Sequence, residues 1–328
     1  MSAVYDRRPM ISTPGIGTRF TLLVLVATLA GCSVERFAAN RIANTLAASG
    51  TTYAGDDDPE LVGAALPFSL KLMESVLAET PGHRELLAAT AAAFTQYSYA
   101  FVQQQGDMLA LEDTDRAWEA WNRARRLYLR ARDYGLRGLD VVHPGFSAGL
   151  RADHAATVQQ ADKEDVDLLY WTAVSWAGTI ALGKDDPALV ADLAIVSALI
   201  DRSLVLDEGW DRGAIHSFLI GYSMARPDMP GDRTVNARAH FDRAVVLSEG
   251  RAAGPYVSWA EAVCLPQEDR ACFEGSIDAA LKIDAEDDPP TRLANTVMQR
   301  RASWLAAHLD DWILPPLDEA AGNGGALP

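Results

Sequence analysis

Along this chain apolar residues recur at intervals of three and four, and strict alternation of apolar with polar positions is nearly absent. That periodicity lays one apolar stripe along a helix, so it predicts helices rather than sheet. The periodic runs stop at clusters of Gly, Pro and Asp: AGDDDP ahead of Glu60, TPG at Thr80, VHPG at Val142, GKDDP at Gly183, RPDMPGD at Arg226 and EDDPP at Glu286. Asp57 or Asp58, and Asp186, precede Pro-x-Leu-Val, a helix start with proline in the first turn. The pattern predicts an all-α chain of about ten to twelve helices over 56–314, read as one domain.

Within those helices a small–bulky–small frame recurs. Ala117-Trp121-Ala124 and Ala237-Phe241-Ala244 fit it; Ser69-Met73-Val76, Val196-Ile200-Ser203 and Phe273-Ile277-Ala280 fit more loosely. A bulky side chain enters the neighbouring helix while small ones let the backbones approach, as in tetratricopeptide hairpins. The intervals between the central residues are 48, 79, 41 and 36, so the expected fold is a divergent tetratricopeptide-like helical repeat, an interrupted α-solenoid.

The ends modify this picture. Arg7, Arg8 and Arg19 precede the apolar run FTLLVLVATLA, which is too short to span a bilayer comfortably. Leu29-Ala30-Gly31-Cys32 then places small residues before a cysteine, as a lipoprotein signal peptidase requires. We therefore expect a signal peptide over 1–31, a lipid on Cys32, a tether with a lead-in helix over 32–55, and a disordered tail over 315–328. The start codon is Met1 or Met10. Ser33 after the cysteine favours the outer membrane as the address, with the protein in the periplasm. The chain carries a net charge of −16, and the leader removes three arginines against one aspartate. Such acidity argues against nucleic acid and against broad contact with anionic lipid, leaving the lipid as the sole membrane attachment. Cys264 and Cys272, eight apart, are either a disulfide or two free thiols, since a helix running between them would hold them apart.

Catalytic signatures are sparse. Gly145-Phe146-Ser147-Ala148-Gly149 has the form of a nucleophile elbow, with Asp201 and His216 or His240 downstream, but no strand–helix alternation surrounds it. It reads as a loop between helices, and no catalytic residue is assigned. The six histidines show no ligand spacing, and the acidic runs before prolines cap helices more readily than they bind calcium. We expect no metal and no cofactor.

The segment LLYWTAVSWAGTIAL, 168–182, has no charge. It is too short for a span, and Asp165, Asp167 and Lys184 flank it. In helical projection Thr172, Ser175 and Thr179 fall within about 60° of one another, between Trp171 and Trp176, which stand about 140° apart. Such a stripe is either core, with hydroxyls bonded to their own backbone, or the wall of a pocket. His216 lies in an apolar helical stretch, where a buried, satisfied imidazole is the default reading.

Three longer stretches carry a resemblance: LYWTAVSWAGTIALGKDDPALVADL, LDEGWDRGAIHSFLIGYSMARP and AHFDRAVVLSEGRAAGPYVSWAEAVCLPQEDRACFE. With GTTYAGDDDPELVGAALPFSLKLMESVLAETPGH near the start, they resemble the TatT family. These are the T components associated with tripartite ATP-independent periplasmic (TRAP) transporters. The resemblance implies a non-catalytic helical lipoprotein, a homotrimer. Each subunit would hold a hydrophobic small molecule in an apolar cleft or pore and dock onto the solute-binding P component. Tyr170, Trp171 and Trp176 match the family's aromatic helix, His216 its I-H-x-F segment, and Tyr256 and Trp259 its P-Y-V-x-aromatic-A-E segment. Trp259 stands where a tyrosine is expected, and Cys272 departs from the family. Together with Thr172, Ser175 and Thr179, these are the expected ligand contacts. The alternatives are a tetratricopeptide-type outer-membrane scaffold for protein assembly and, third, an esterase built on Ser147.

Overall fold

The computed structural model describes residues 38–315. The leader, Cys32 and the tail beyond 315 lie outside the described residues. Among the described residues there is no strand. The helices are α1 (38–47), α2 (Gly50–Ala54), α3 (Pro59–Glu79), α4 (Arg84–Tyr97), α5 (Gln104–Leu109), α6 (Thr114–Val142), α7 (Phe146–Thr157), α8 (Val166–Ala181), α9 (Pro187–Ala191), α10 (Leu193–Leu206), α11 (Ala214–Ala225), α12 (Arg233–Leu247), α13 (Gly254–Trp259), α14 (Arg270–Leu281) and α15 (Arg292–Ala307). Two π-helical turns, Ser98–Gln103 and Ala260–Cys264, continue α4 and α13.

The breaks fall where the Gly/Pro/Asp clusters place them, and the starts have the expected chemistry. The Asp58 carboxylate accepts from Leu61 N at 2.9 Å ahead of Pro59, and Asp186 accepts from Ala188 N at 2.9 Å ahead of Pro187. Each satisfies an orphan amide of the first turn. The repeat frames are buried in part: the bulky centres Trp121 and Phe241, with Ser69 and Val76, are half-buried. Ala117 and Ala124, Ala237 and Ala244, Val196 and Ile200, and Phe273, Ile277 and Ala280 all sit in the core.

Neighbours in the chain are neighbours in space: α3 packs on α4, α4 on α6, α6 on α8 and α8 on α10, followed by α11 on α12, α13 on α14 and α14 on α15. The array then returns on itself, because α15 packs against α2 and α3. Arg300 Nη2 donates to Glu60 Oε2 at 2.9 Å, and Arg292 Nη1 donates to the Gly55 carbonyl at 3.0 Å. These contacts close a ring of helices. By length and composition α3 is the one helix among the described residues that could cross a membrane. Its Val62, Leu66, Leu70, Met73 and Leu77 are nevertheless buried in the core.

Cys264 ends the π-helical turn and Cys272 begins α14, with a turn between them rather than a helix. That hairpin brings their Cα atoms to 5.5 Å, and the two are joined in a disulfide.

Candidate functional site

The ring encloses a cavity of about 580 Å³, the size of a small-ligand site. One wall is α4 and its π-helical extension, which present Ala89, Ala92, Ala93, Gln96, Tyr99, Ala100 and Phe101. The first four recur at helical spacing on one face, while Leu86, Leu87 and Phe94 of the same helix are buried in the core. Beyond Tyr97 the wider π turn lets three consecutive residues, Tyr99, Ala100 and Phe101, reach the cavity, where an α-helix would turn one away. A second wall comes from α1 and α2, through Leu46, Ala47, Gly50 and Tyr53. Tyr53 is fixed by a 2.5 Å hydrogen bond between its hydroxyl and Ser69 Oγ of α3.

The π segments rest on a buried charged cluster behind Tyr99. Arg301 Nη2 donates to Glu261 Oε1 at 2.6 Å and lies 3.2 Å from Asp107 Oδ2, while Asp107 Oδ1 accepts from Trp121 Nε1 at 2.8 Å. Burial pushes the Asp107 and Glu261 carboxyls up, against the pull of Arg301. Charges buried this way are tolerated only when paired, and here they tie α15 to the second π turn and to α5, which follows the first.

The opposite end of the cavity is polar. Residues Trp210–Gly213 form a tight turn in which Asp211, Arg212 and Gly213 take φ of 43°, 56° and 86° in succession. Two non-glycine residues in the left-handed region are strained, and such strain gathers at functional sites. Asp211, Arg212 and Ala214 line the cavity beside Tyr170, Arg251, Asp288 and Asn295. Arg212 pairs with Asp288. Asn295 Nδ2 donates to the Arg251 carbonyl at 2.8 Å, and its Oδ1 accepts from Ala253 N at 2.9 Å.

Of the nine residues expected from the sequence as ligand contacts, Tyr170 lines this cavity; the other eight are not part of its lining. The Thr172, Ser175 and Thr179 hydroxyls are buried and donate to backbone carbonyls one turn earlier, at 2.6, 2.7 and 3.0 Å. Their stripe faces a partner helix: a side chain at Gly135 of α6 would collide with Thr172, and one at Gly138 with Leu168. Trp176 is buried between the Arg132 and Arg151 guanidiniums, 5.0 and 5.8 Å from its ring. Trp171 packs edge-on to Tyr170 and Trp210, at 4.9 and 6.2 Å.

His216 and His240 meet Nδ1 to Nδ1 at 2.9 Å, so one neutral ring donates to the other. Burial and the facing ring lower His240 to about 4; burial also lowers His216, against the pull of Glu208. Tyr256 and Trp259 pack around Phe241, each at 5.3 Å, in the C-terminal core.

The GFSAG segment is not the loop expected: Gly145 caps α7 and Phe146–Gly149 form its first turn, because Gly145 at φ 88° lets the chain enter the helix at once. Ser147 Oγ donates to Asp140 Oδ2 at 2.6 Å, with no histidine bonded to it. The elbow therefore lacks the strand and the base that the esterase reading needs.

The alanine wall of α4 was not singled out in the sequence. Its signal, small residues at 89, 92, 93 and 100, is the one that also marks a close helix contact.

Two comparisons bear on what this cavity is for. The sequence profile of the TRAP transporter T-component family matches residues 55–313. The chain is also similar to an uncharacterized protein of Treponema pallidum (strain Nichols), 30% identical over 303 residues, covering 87% of this chain and 94% of that one.

Proposed function

From the premise that this chain belongs to the TRAP transporter T-component family, we propose that it binds a hydrophobic small molecule in the ring cavity and docks onto the solute-binding P component. In this reading Cys32 carries a lipid that anchors the protein to the outer membrane, on its periplasmic side, and the working form is a homotrimer. Its action is passive, without bond making.

The observation that carries the reading is the cavity itself. Protein interiors are normally packed to crystal density. Walls of Ala, Leu, Met and aromatic side chains that leave about 580 Å³ open forfeit dispersion contacts on one side. A ligand restores those contacts and buries apolar area at roughly 25 cal/mol per Å².

Native mass spectrometry of gently purified protein, followed by organic extraction, tests this directly. The expected result is a co-purifying apolar small molecule that is lost when Ala92→Trp fills the cavity. A chain that is empty in every preparation and does not retain a co-encoded solute receptor in a pull-down would sink the reading.

A further inference from the structure

The polar end of the cavity contains charges of both signs, and they are not equally satisfied. Arg212 faces Asp288, whose carboxylate also accepts from Thr291 Oγ1 at 3.2 Å. Arg251 faces Glu249, Nη2 to Oε2 at 3.4 Å. The Asp211 carboxylate makes no hydrogen bond or ion pair among the described residues, although it lines the cavity and is exposed. The protein around it raises its carboxyl pKa, with Arg212 acting in the opposite sense.

The backbone delivers this carboxylate deliberately. Asp211 sits at φ 43° in the strained turn and Arg212 follows at φ 56°, three residues before Ala214, whose carbonyl accepts from the Tyr170 hydroxyl at 3.4 Å. Tyr170 is close enough for the Asp211 charge to raise its phenol further, on top of the effect of burial. Its ring is backed by Trp210 at 4.7 Å and Trp171 at 4.9 Å, and it lines the same cavity as the carboxylate. A carboxylate without a hydrogen-bonded partner, near an aromatic side chain in an apolar cavity, is a combination that recognises an ammonium.

Resting on the reading that the cavity holds an apolar ligand, we propose that Asp211 and Tyr170 form a head-group subsite and that the ligand is an amphipathic amine. Its cationic end meets the Asp211 carboxylate, and its apolar chain runs toward Ala89, Ala92 and Ala93. An anionic amphiphile is disfavoured, because both nearby guanidiniums already pair with carboxylates, Asp288 and Glu249, and neither is bonded to Asp211.

The test uses three probes of one chain length, decylammonium, decan-1-ol and decanoate. Each is titrated below its micelle-forming concentration at neutral pH, into wild type and into Asp211→Asn. Asparagine also adopts the left-handed backbone region, so the turn survives the substitution, and thermal melting checks that it does. We expect wild type to bind decylammonium about tenfold more tightly than decanol, with decanoate weakest. Asp211→Asn removes that preference and leaves decanol unchanged. The wild-type ranking depends on no variant. Decanoate binding as tightly as decylammonium, or an amine preference that survives Asp211→Asn, overturns the subsite while decanol binding still upholds the cavity. Failure of all three to bind overturns the cavity reading and the subsite with it.

Discussion

Helices α4 and α8 lie against each other in the ring, and both carry a stripe of small side chains, yet the two stripes do opposite things. On α8, Thr172, Ser175 and Thr179 meet a helix whose Gly135 leaves no room for a side chain. On α4, Ala89, Ala92 and Ala93 meet open space. A small-residue stripe permits close approach; whether a backbone or a void comes to fill it is decided by the partner, not by the stripe. The same holds for the aromatics. Trp176 fills volume between two arginines, whereas Tyr99 and Phe101, shifted by a π turn, face the cavity.

If α8 is structural, truncating it should reduce stability before anything else. Trp176→Ala is expected to lose about 3–5 kcal/mol in chemical denaturation. A loss under about 1 kcal/mol, accompanied by weaker ligand binding, would move Trp176 from the core to the site. The histidine pair gives the next largest effect. His240 is lowered to about 4 in the folded chain and titrates near 6.5 when unfolded. The unfolded state therefore takes up more protons between those values. Stability from this group is complete above about pH 6.5 and falls as pH drops toward 4. Urea midpoints at pH 7.5 and 5.0, compared between wild type and His240→Gln, should show that slope and its loss.

Gly135→Ala follows. The added methyl would overlap the backbone-bonded Thr172 hydroxyl and sit 3.2 Å from its Cβ, so about 1–3 kcal/mol should be lost, again without change in ligand affinity. The smallest stability effect belongs to α4. Ala92→Trp, growing into open space, should change the unfolding free energy by no more than about 0.5 kcal/mol while abolishing ligand capture.

The helical class, the breaks and the helix starts were legible in the sequence because they depend on local chemistry. Asp58 and Asp186 cap the helices they precede, and the small residues of the repeat frames fell in the core, though their bulky centres Trp121 and Phe241 are half-buried. The site was far less legible. Tyr170 lines the cavity, but it lies on the face of its helix away from the hydroxyl stripe. The left-handed turn at Asp211–Gly213 gave no cue beyond one glycine, since backbone dihedrals of Asp and Arg are not written in their side chains. The π turns, which decide where Tyr99 and Phe101 point, depend on packing across the ring. The disulfide was left open because the turn at 265–269, not the spacing of eight, decides it.

The central claim is that ligand binds against α4 and not against the aromatic–hydroxyl face of α8. Affinity for one apolar fluorescent probe, measured by titration for wild type, Ala92→Trp and Trp176→Phe, tests it most directly. The account predicts that Ala92→Trp weakens binding about tenfold or more while Trp176→Phe leaves it unchanged. Unchanged binding in Ala92→Trp together with a loss in Trp176→Phe would contradict it.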